Sequence, residues 1–473
     1  MADKKTVFTR LGRAGVGLAV TAASFGAIIV LSTFAMPTIE LQPQAAAVDA
    51  SSNASRTIAC NGSMLELGAD PAQPLLAVAT GTSAVTAHSA TGDEAQQSSF
   101  AREGEGAGAG TGVLYELNGD QVYAQAFSES ESPATSSLRG YVATQCVEAS
   151  SESWIVAGTT TTGSVSILSL TNPGDVPATV FVKVFDDQGE VESLQSAGVV
   201  VQPKSQKNVS LNGYAPDRKM LAVQVVSRGA KVVATLQESL VLGLAPSGVE
   251  TVQGISSPAK NLVIAGIETP ASAAADEHGN SDAGHTLRIV APGAKGGTFT
   301  AYGVNAEGKR ENLVTEYLHP AQVAEFSLET LTAEFTSVVI EAEVPVVASI
   351  TGIAKGGAGE DIAWFAPDPA LTREVPFAVP AGPNPMLTIY NPNDADVTVD
   401  LVAGQGNTED ANLKIAVPAK SSVRQPVVAG SGYQLLAGGK IYAAISFAGD
   451  GAMSGFPLTP PADSADQVLV YTR

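Results

Sequence analysis

Val165-Ser-Ile-Leu-Ser-Leu170, Asn172-Pro173-Gly174 and Ala178-Thr-Val-Phe-Val-Lys-Val-Phe185 decide how this chain is read. Two runs that alternate apolar with small polar residues flank a turn tripeptide, the pattern of two half-buried strands joined in a hairpin. Asp187-Gln188-Gly189 turns the chain again. Val199-Val-Val201 then leads through Pro203 to Val209-Ser-Leu211, and Leu221-Ala-Val-Gln-Val-Val226 and Val232-Val-Ala-Thr-Leu236 close the unit.

The same order recurs twice. Thr286-Leu-Arg-Ile-Val290 precedes Pro292-Gly293, Phe299-Thr-Ala-Tyr-Gly-Val304 precedes Gly308, and Pro320 precedes Val323-Ala-Glu-Phe326. Leu387-Thr-Ile-Tyr390 precedes Asn391-Pro392-Asn393, followed by Val397-Thr-Val-Asp-Leu-Val402, Pro418 before Val423, and Ile441-Tyr-Ala-Ala-Ile-Ser-Phe447. A period of roughly one hundred residues suits an immunoglobulin-like or fibronectin-like sandwich and is too long for a solenoid. The expectation is an all-β chain of tandem β-sandwich repeats at 154–257, 258–358 and 359–473, following one N-terminal transmembrane helix. Trp154, Leu262 and Trp364 fall at matching places at the starts of these repeats, where a core plug between two sheets is expected.

Length agrees, since 473 residues allow about three domains. Aromatic residues are only 5% of the chain, so the cores must be built from small and β-branched side chains, which favours strands. The formal net charge of −21 repels phosphate backbones and anionic headgroups, and this excludes nucleic acid as an expected partner.

Lys4, Lys5, Arg10 and Arg13 form a basic tail (1–13) before an uncharged apolar segment at 14–36. That length spans a bilayer, and the flanking charge holds the N-terminus in the cytoplasm and sends residues after Pro37 outside. The rival reading is a cleaved signal peptide, because Thr33-Phe34-Ala35 and Ala45-Ala46-Ala47 resemble cleavage sites. Residues 37–56 have the composition of a flexible linker. The stretch 57–153 does not follow the repeat: Leu75-Leu-Ala-Val78, Val113-Leu-Tyr115 and Gln121-Val-Tyr-Ala-Gln-Ala-Phe127 read as strands, Gly92 to Gly112 reads as a mobile loop, and the whole is either a small β domain or a lid. Gln467-Val-Leu-Val-Tyr471 reads as a last strand. Cys60 and Cys146 are the two cysteines; in an exported chain such a pair is expected to form a disulfide closing this region.

The search for chemistry nominates no catalytic, cofactor-binding or metal-ligating residue. Asp276 to His285 gathers His278, His285 and carboxylates in one loop, but the spacing matches neither a zinc nor a calcium motif, and a solvated insertion is the simpler reading. Asp186-Asp187-Gln188-Gly189 reads as a hairpin turn. Gly104-Glu-Gly-Ala-Gly-Ala-Gly-Thr-Gly112 lacks the lysine of a phosphate loop. Glu360-Asp361 could serve a glycosidase, yet a chain this acidic gives such a pair no selectivity.

Trp154-Ile-Val-Ala-Gly158, Ser169-Leu-Thr-Asn-Pro-Gly174, Gln202-Pro203-Lys204-Ser205, Ala222-Val-Gln-Val-Val-Ser227 and Val232-Val-Ala234 together resemble an actinobacterial family of membrane-anchored extracellular proteins known only as a domain of unknown function. The third copy departs from it, with Asn393 in place of the turn glycine. The resemblance carries over no catalytic residue and implies a cell-envelope role by association. The functional expectation is a non-enzymatic, membrane-anchored scaffold or binding protein that presents its repeats to an envelope protein or glycan. The alternatives are a mechanical spacer and a carboxylate-dependent wall hydrolase.

Overall fold

The computed structural model describes residues 45–49, 55–68, 76–103, 112–119, 121–192, 198–255, 257–269, 284–357, 359–404, 412–461 and 467–471. These residues are all-β apart from two four-residue helices, Gln121–Ala124 and Leu211–Tyr214. The segment 14–36, expected to cross the membrane, lies outside the described residues; among the described residues no helix is long and apolar enough to cross a membrane.

Eight strands occur three times in one order. In the first module they are Glu152–Ile155, Ser164–Asn172, Ala178–Asp186, Val199–Val201, Ser205–Ser210, Ala222–Arg228, Val233–Leu242 and Ala245–Gln253. Strands one, six, three and four form one sheet in that spatial order, and strands five, two, seven and eight form the other. The third module repeats this with Val375–Val379, Met386–Tyr390, Val397–Ala403, Leu413–Val417, Ser422–Pro426, Ser431–Ala437, Tyr442–Gly449 and Ala452–Pro457. The second module begins with Ala259–Ala265, Thr286–Val290, Gly297–Val304, Arg310–Leu318 and Val323–Ser327 and ends with Gly359–Phe365. Its sixth and seventh strands are one continuous strand, Ser337–Gly356, whose first half pairs with Ala259–Ala265 and Gly297–Val304 and whose second half pairs with Thr286–Val290 and Gly359–Phe365. In each module one apolar core lies between the two sheets.

The turn residues of the sequence explain this recurrence. Asn172 is fully buried: its Nδ2 donates to the carbonyls of Val176 and Val201 at 2.8 and 3.1 Å, and its Oδ1 accepts the Gly174 N–H at 2.9 Å. Asn391 does the same in the third module, toward Ala395 and Val417, and takes the Asn393 N–H at 2.9 Å. The backbone N–H makes this bond, so Asn393 replaces Gly174 without loss. Lys204, Ala321 and Lys420 all hold positive φ, at 50°, 58° and 56°, just after Pro203, Pro320 and Pro418 and before the fifth strand. That shared and unfavourable backbone geometry marks the three turns as equivalent.

Several expected boundaries change. Gly359–Phe365 pairs with Ser337–Gly356, so the last strand of the second module lies beyond residue 358, where the sequence reading starts the third repeat. Trp364 therefore stands on an eighth strand and has no positional kinship with Trp154. The segment from Gly92 to Gly112, expected as a loop, contains the edge strand Gln96–Ser99, paired with Val113–Leu117, and Ala101–Arg102, which pairs in parallel with Ser205–Ser210 of the first module. Phe100 between them is fully buried, and this anchors a polar run that periodicity alone marks as loop. Gln467–Tyr471 joins none of the third module's sheets. It pairs with Ala45–Asp49, a stretch expected to be linker, and these two form a separate small unit.

The region before the first module has two main sheets of its own, beside the small antiparallel pair Leu65–Leu67 and Ala77–Ala79. Val147–Glu148, Arg56–Cys60, Val113–Leu117 and Gln96–Ser99 form one; Val142–Gln145, Gln125–Glu131 and Ala84–Ser89 form the other. The disulfide Cys60–Cys146 and the stacked rings of Tyr115 and Phe127, 3.8 Å apart, hold them together.

Candidate functional site

The modules are interlocked, and the eighth strands are where they meet. Each eighth strand is buried in its middle, which alternation in an exposed sheet would not produce. Trp364 enters the core of the first module, Met453 that of the second, and Tyr141 and Ala143 that of the third. Trp154 sits in a cluster joining the first and second modules, with Val156 and Phe185 against Val290, Val323 and Val347. It is thus an inter-module plug, where the sequence suggested a plug between two sheets of one repeat.

Acids inside these buried strands organise the junction. Asp361 accepts four backbone N–H groups: Tyr141 at 2.8 Å and Met453 at 3.1 Å on Oδ2, Val249 at 3.2 Å and Ile362 at 3.0 Å on Oδ1. These donors come from the N-terminal region, the third, the first and the second module. Burial pushes the Asp361 pKa up to about 7, and the four donors pull the other way. Glu250, on the eighth strand of the first module, is fully buried and also raised by burial; its Oε1 accepts from Ser454 Oγ at 3.1 Å and from the Thr251 N–H. Glu238 accepts the Trp364 indole N–H at 2.7 Å, while Arg288 lies 4.6 Å from that ring and bonds Glu325 at 2.7 Å. These groups join parts of the fold and are closed to ligand.

An open cleft of about 590 Å³ lies beside the junction. Its wall comes from the N-terminal region, the last strand of the first module, the first strand of the second, the link 366–373 and the end of the third. Cys146 is part of it, so the disulfide fixes one wall. Gln145 braces another: its amide exchanges hydrogen bonds with the Thr459 backbone at 2.8 and 3.2 Å, and its carbonyl accepts from Gln253.

Asp368 is the unusual group in this wall. It is 7% exposed; its Oδ2 accepts the Ala265 N–H at 2.6 Å and its Oδ1 has no partner. Burial raises its pKa well above the ordinary value of 3.8, against the pull of the Ala265 N–H. Charge elsewhere in the wall is confined to Arg373 and Glu148, and Arg56 holds Glu148 at 3.0 Å. The cleft can take up and orient a ligand. It brings together no nucleophile with a base, and among the described residues no three His, Cys, Asp or Glu groups converge on a possible metal position.

The sequence candidates are dispersed. His285 is buried, its Nε2 2.9 Å from the Glu268 carbonyl, and His278 lies outside the described residues. Asp186 caps its hairpin, accepting the N–H groups of Gln188 and Gly189 at 2.8 and 3.1 Å. Glu360 is paired with Lys355 at 3.4 Å on the strand that buries Asp361, so this carboxylate pair splits between a salt bridge and the junction. The sequence reading singles out neither Glu250 nor Asp368, and it takes Asp361 as half of a carboxylate pair where the structure buries it at the junction. An acid inside an apolar run, as in Asp361-Ile-Ala-Trp-Phe365, was the available signal.

A family model described as "Family of unknown function (DUF5719)" matches residues 101–427, from the strand that joins the first module to the fifth strand of the third. No curated protein matches the chain. Among solved structures, an anti-sigma factor domain-containing protein is 9% identical, with 80% of this chain and 96% of that one covered and a TM-score of 0.12, too low to bear on the fold.

Proposed function

We propose, for a chain that belongs to the DUF5719 family of unknown function, that it is a non-enzymatic binding protein of the bacterial cell envelope. In this reading residues 14–36 anchor it in the membrane and the part after Pro37 is extracellular. Its three modules are immunoglobulin-like β-sandwich repeats locked into one support for a ligand site.

The observation that carries the reading is the cleft of about 590 Å³. Its size is that of a small-molecule site, and such sites favour the seams between structural units. A chain serving only as a spacer needs no such opening, whereas a binding protein needs a rigid frame around one, which interlocked cores supply.

The test is a cross-linking pull-down of the full-length protein from its own envelope, run beside an Asn261→Arg variant that fills the cleft from an exposed strand position. A partner or polymer retained by the parent and absent from the variant is the expected result. Equal retention by both, or none under efficient cross-linking, overturns the reading.

A further inference from the structure

The fold closes on itself through a joint that no linker makes. The strands Val142–Gln145, Ala245–Gln253, Gly359–Phe365 and Ala452–Pro457 pack one against the next, and the last returns to the first. Three of these contacts join parts that follow one another in the chain. The fourth sets the N-terminal region against the third module across a separation of 311 residues, where the Ala143 N–H donates to Ser454 Oγ at 3.0 Å. Along the same seam Ser130 Oγ and the Tyr141 hydroxyl both donate to the Ala381 carbonyl, at 2.9 and 2.8 Å.

His88, on the strand Ala84–Ser89, is packed into this seam and is 5% exposed. Two glycines of the third module make its slot: a Cβ on Gly432 would fall 2.3 Å from the His88 Cβ, and one on Gly404 2.6 Å from Nδ1. Nε2 is buried without a hydrogen-bond partner, and so is Gln434 Oε1, while Gln434 Nε2 donates to the Tyr123 carbonyl at 3.0 Å. Burial lowers the His88 pKa from 6.5 and the Gln434 side chain works against it. The charges around the slot do not balance an imidazolium. On the adjacent strand Gln125–Glu131, Glu129 takes the Asn61 and Gly62 N–H groups and Glu131 that of Met64, and burial raises both pKa values. Asp400, on the strand that leads to Gly404, is held by Lys414 at 3.1 Å. Val375–Val379 and Ser431–Ala437 carry no charged residue, and Tyr433 takes the Val428 N–H. Tyr123, on the short helix against His88's strand, has Arg56 and Arg373 each 5.9 Å from its ring, two more positive groups on that side.

We propose that His88 is an acid-operated latch on the closing seam: its protonation sets a positive charge without a counter-charge into the glycine slot and loosens the N-terminal region from the third module. Burying such a charge is costly, and the seam can relieve the cost by opening to water. The cleft opens with it, because Ala126, the register partner of His88, lines it from the N-terminal region and Pro376 lines it from the third module. The latch needs no ligand. A base whose folded pKa lies below its unfolded value of 6.5 stabilises fully above 6.5 and loses that contribution as pH falls. The buried acids act with the opposite sign, so a local probe is required.

The experiment is amide hydrogen exchange with mass spectrometry on the full-length protein at about pH 7.5 and about pH 5.5, with exchange times scaled for the intrinsic rate. Peptides covering 84–89, 121–131 and 431–437 should lose protection by about tenfold or more at the lower pH, while 164–172 and 233–242 inside the first module keep theirs. His88→Gln, which takes up no proton, should show equal seam protection at both pH values. Gln434→Glu places a carboxylate beside the ring and should keep the seam protected at the lower pH.

Seam protection that is the same at both pH values in the parent overturns the latch. So does an acid loss in His88→Gln equal to the parent's, or a loss spread evenly over the first module. Should His88→Gln not fold, Gln434→Glu decides: an acid loss as large as the parent's overturns the proposal, and its suppression supports it. None of these outcomes bears on whether the cleft retains a partner in the envelope pull-down, so the two readings fail separately.

Discussion

The Tyr141 backbone N–H meets Asp361 Oδ2 at 2.8 Å, so the N-terminal region is fastened to the last strand of the second module through a carboxylate that also holds the other two modules. Gly140 lets the chain come this close: its φ is +147°, and a Cβ there would fall 2.1 Å from Asp361 Oδ1. Asp361→Ala strands four buried N–H groups and should cost on the order of 3 kcal/mol or more. Gly140→Ala should also destabilise, by displacing the carboxylate. Calorimetric melting of the two variants checks this; a change within error for Asp361→Ala would show that the junction contributes nothing.

Burial sets the pH dependence. Asp361 shifts from 3.8 to about 7 in the folded protein. Below 3.8 both folded and unfolded states hold the proton, and the group contributes no slope. Between 3.8 and about 7 the folded state retains a proton that the unfolded chain releases, so stability falls as pH rises and levels off above the folded value. Glu250, Asp368, Glu129 and Glu238 are raised by burial too and act in the same direction. The melting temperature should therefore be higher near about pH 5 than near about pH 8, and Asp361→Asn, neutral throughout, should flatten part of that slope. A melting temperature that rises over this interval would contradict the account.

The succession of strands and turns along the chain is legible in the sequence because it repeats, whereas their pairing into sheets is not: Asn172 and Asn391 sit at equivalent turns, and Pro203, Pro320 and Pro418 each precede the same backbone turn. The packing of modules was not legible. Trp364 reads equally well as the start of a repeat or the end of one, and only pairing with Ser337–Gly356 decides. Asp361 and Glu250 look like members of a large acidic population of 47 residues; what distinguishes them is neighbours from remote modules, which no local window contains. The cleft is assembled from stretches as far apart in the chain as Ile58 and Pro461, and its least ordinary group, Asp368, follows a proline in a short link with no periodicity.

Cys60 and Cys146 close a loop with a sequence separation of 86. For a loop of that length the chain-entropy model gives about 4 kcal/mol, less native strain. The double variant Cys60→Ser/Cys146→Ser should lose stability locally, because the two sheets of the N-terminal region share a core that includes both sulfurs. Limited proteolysis with mass spectrometry should find earlier cuts within residues 56–148 than in the parent, while cuts in the three modules keep their order. Since Cys146 also lines the cleft, ligand binding should weaken alongside. Simultaneous opening of every module would instead mean that the disulfide stabilises the interlocked whole.

Trp364 gives the interlock an optical signal. The chain has two tryptophans, so Trp154→Phe leaves Trp364 as the sole indole reporter. That indole is 4% exposed, lies in the core of the first module and donates to Glu238 at 2.7 Å. Its emission should be blue-shifted and shielded from acrylamide until the first and second modules separate. Trp364→Phe keeps most of the bulk but removes the donor from buried Glu238, costing about 1–3 kcal/mol; Trp364→Ala adds a cavity and should cost about 3–5 kcal/mol. If the modules melt as one unit, the Trp364 emission change and the calorimetric transition coincide in the single-tryptophan protein. An emission change that precedes the main transition would show that the eighth strand of the second module leaves the first module's core before either unfolds.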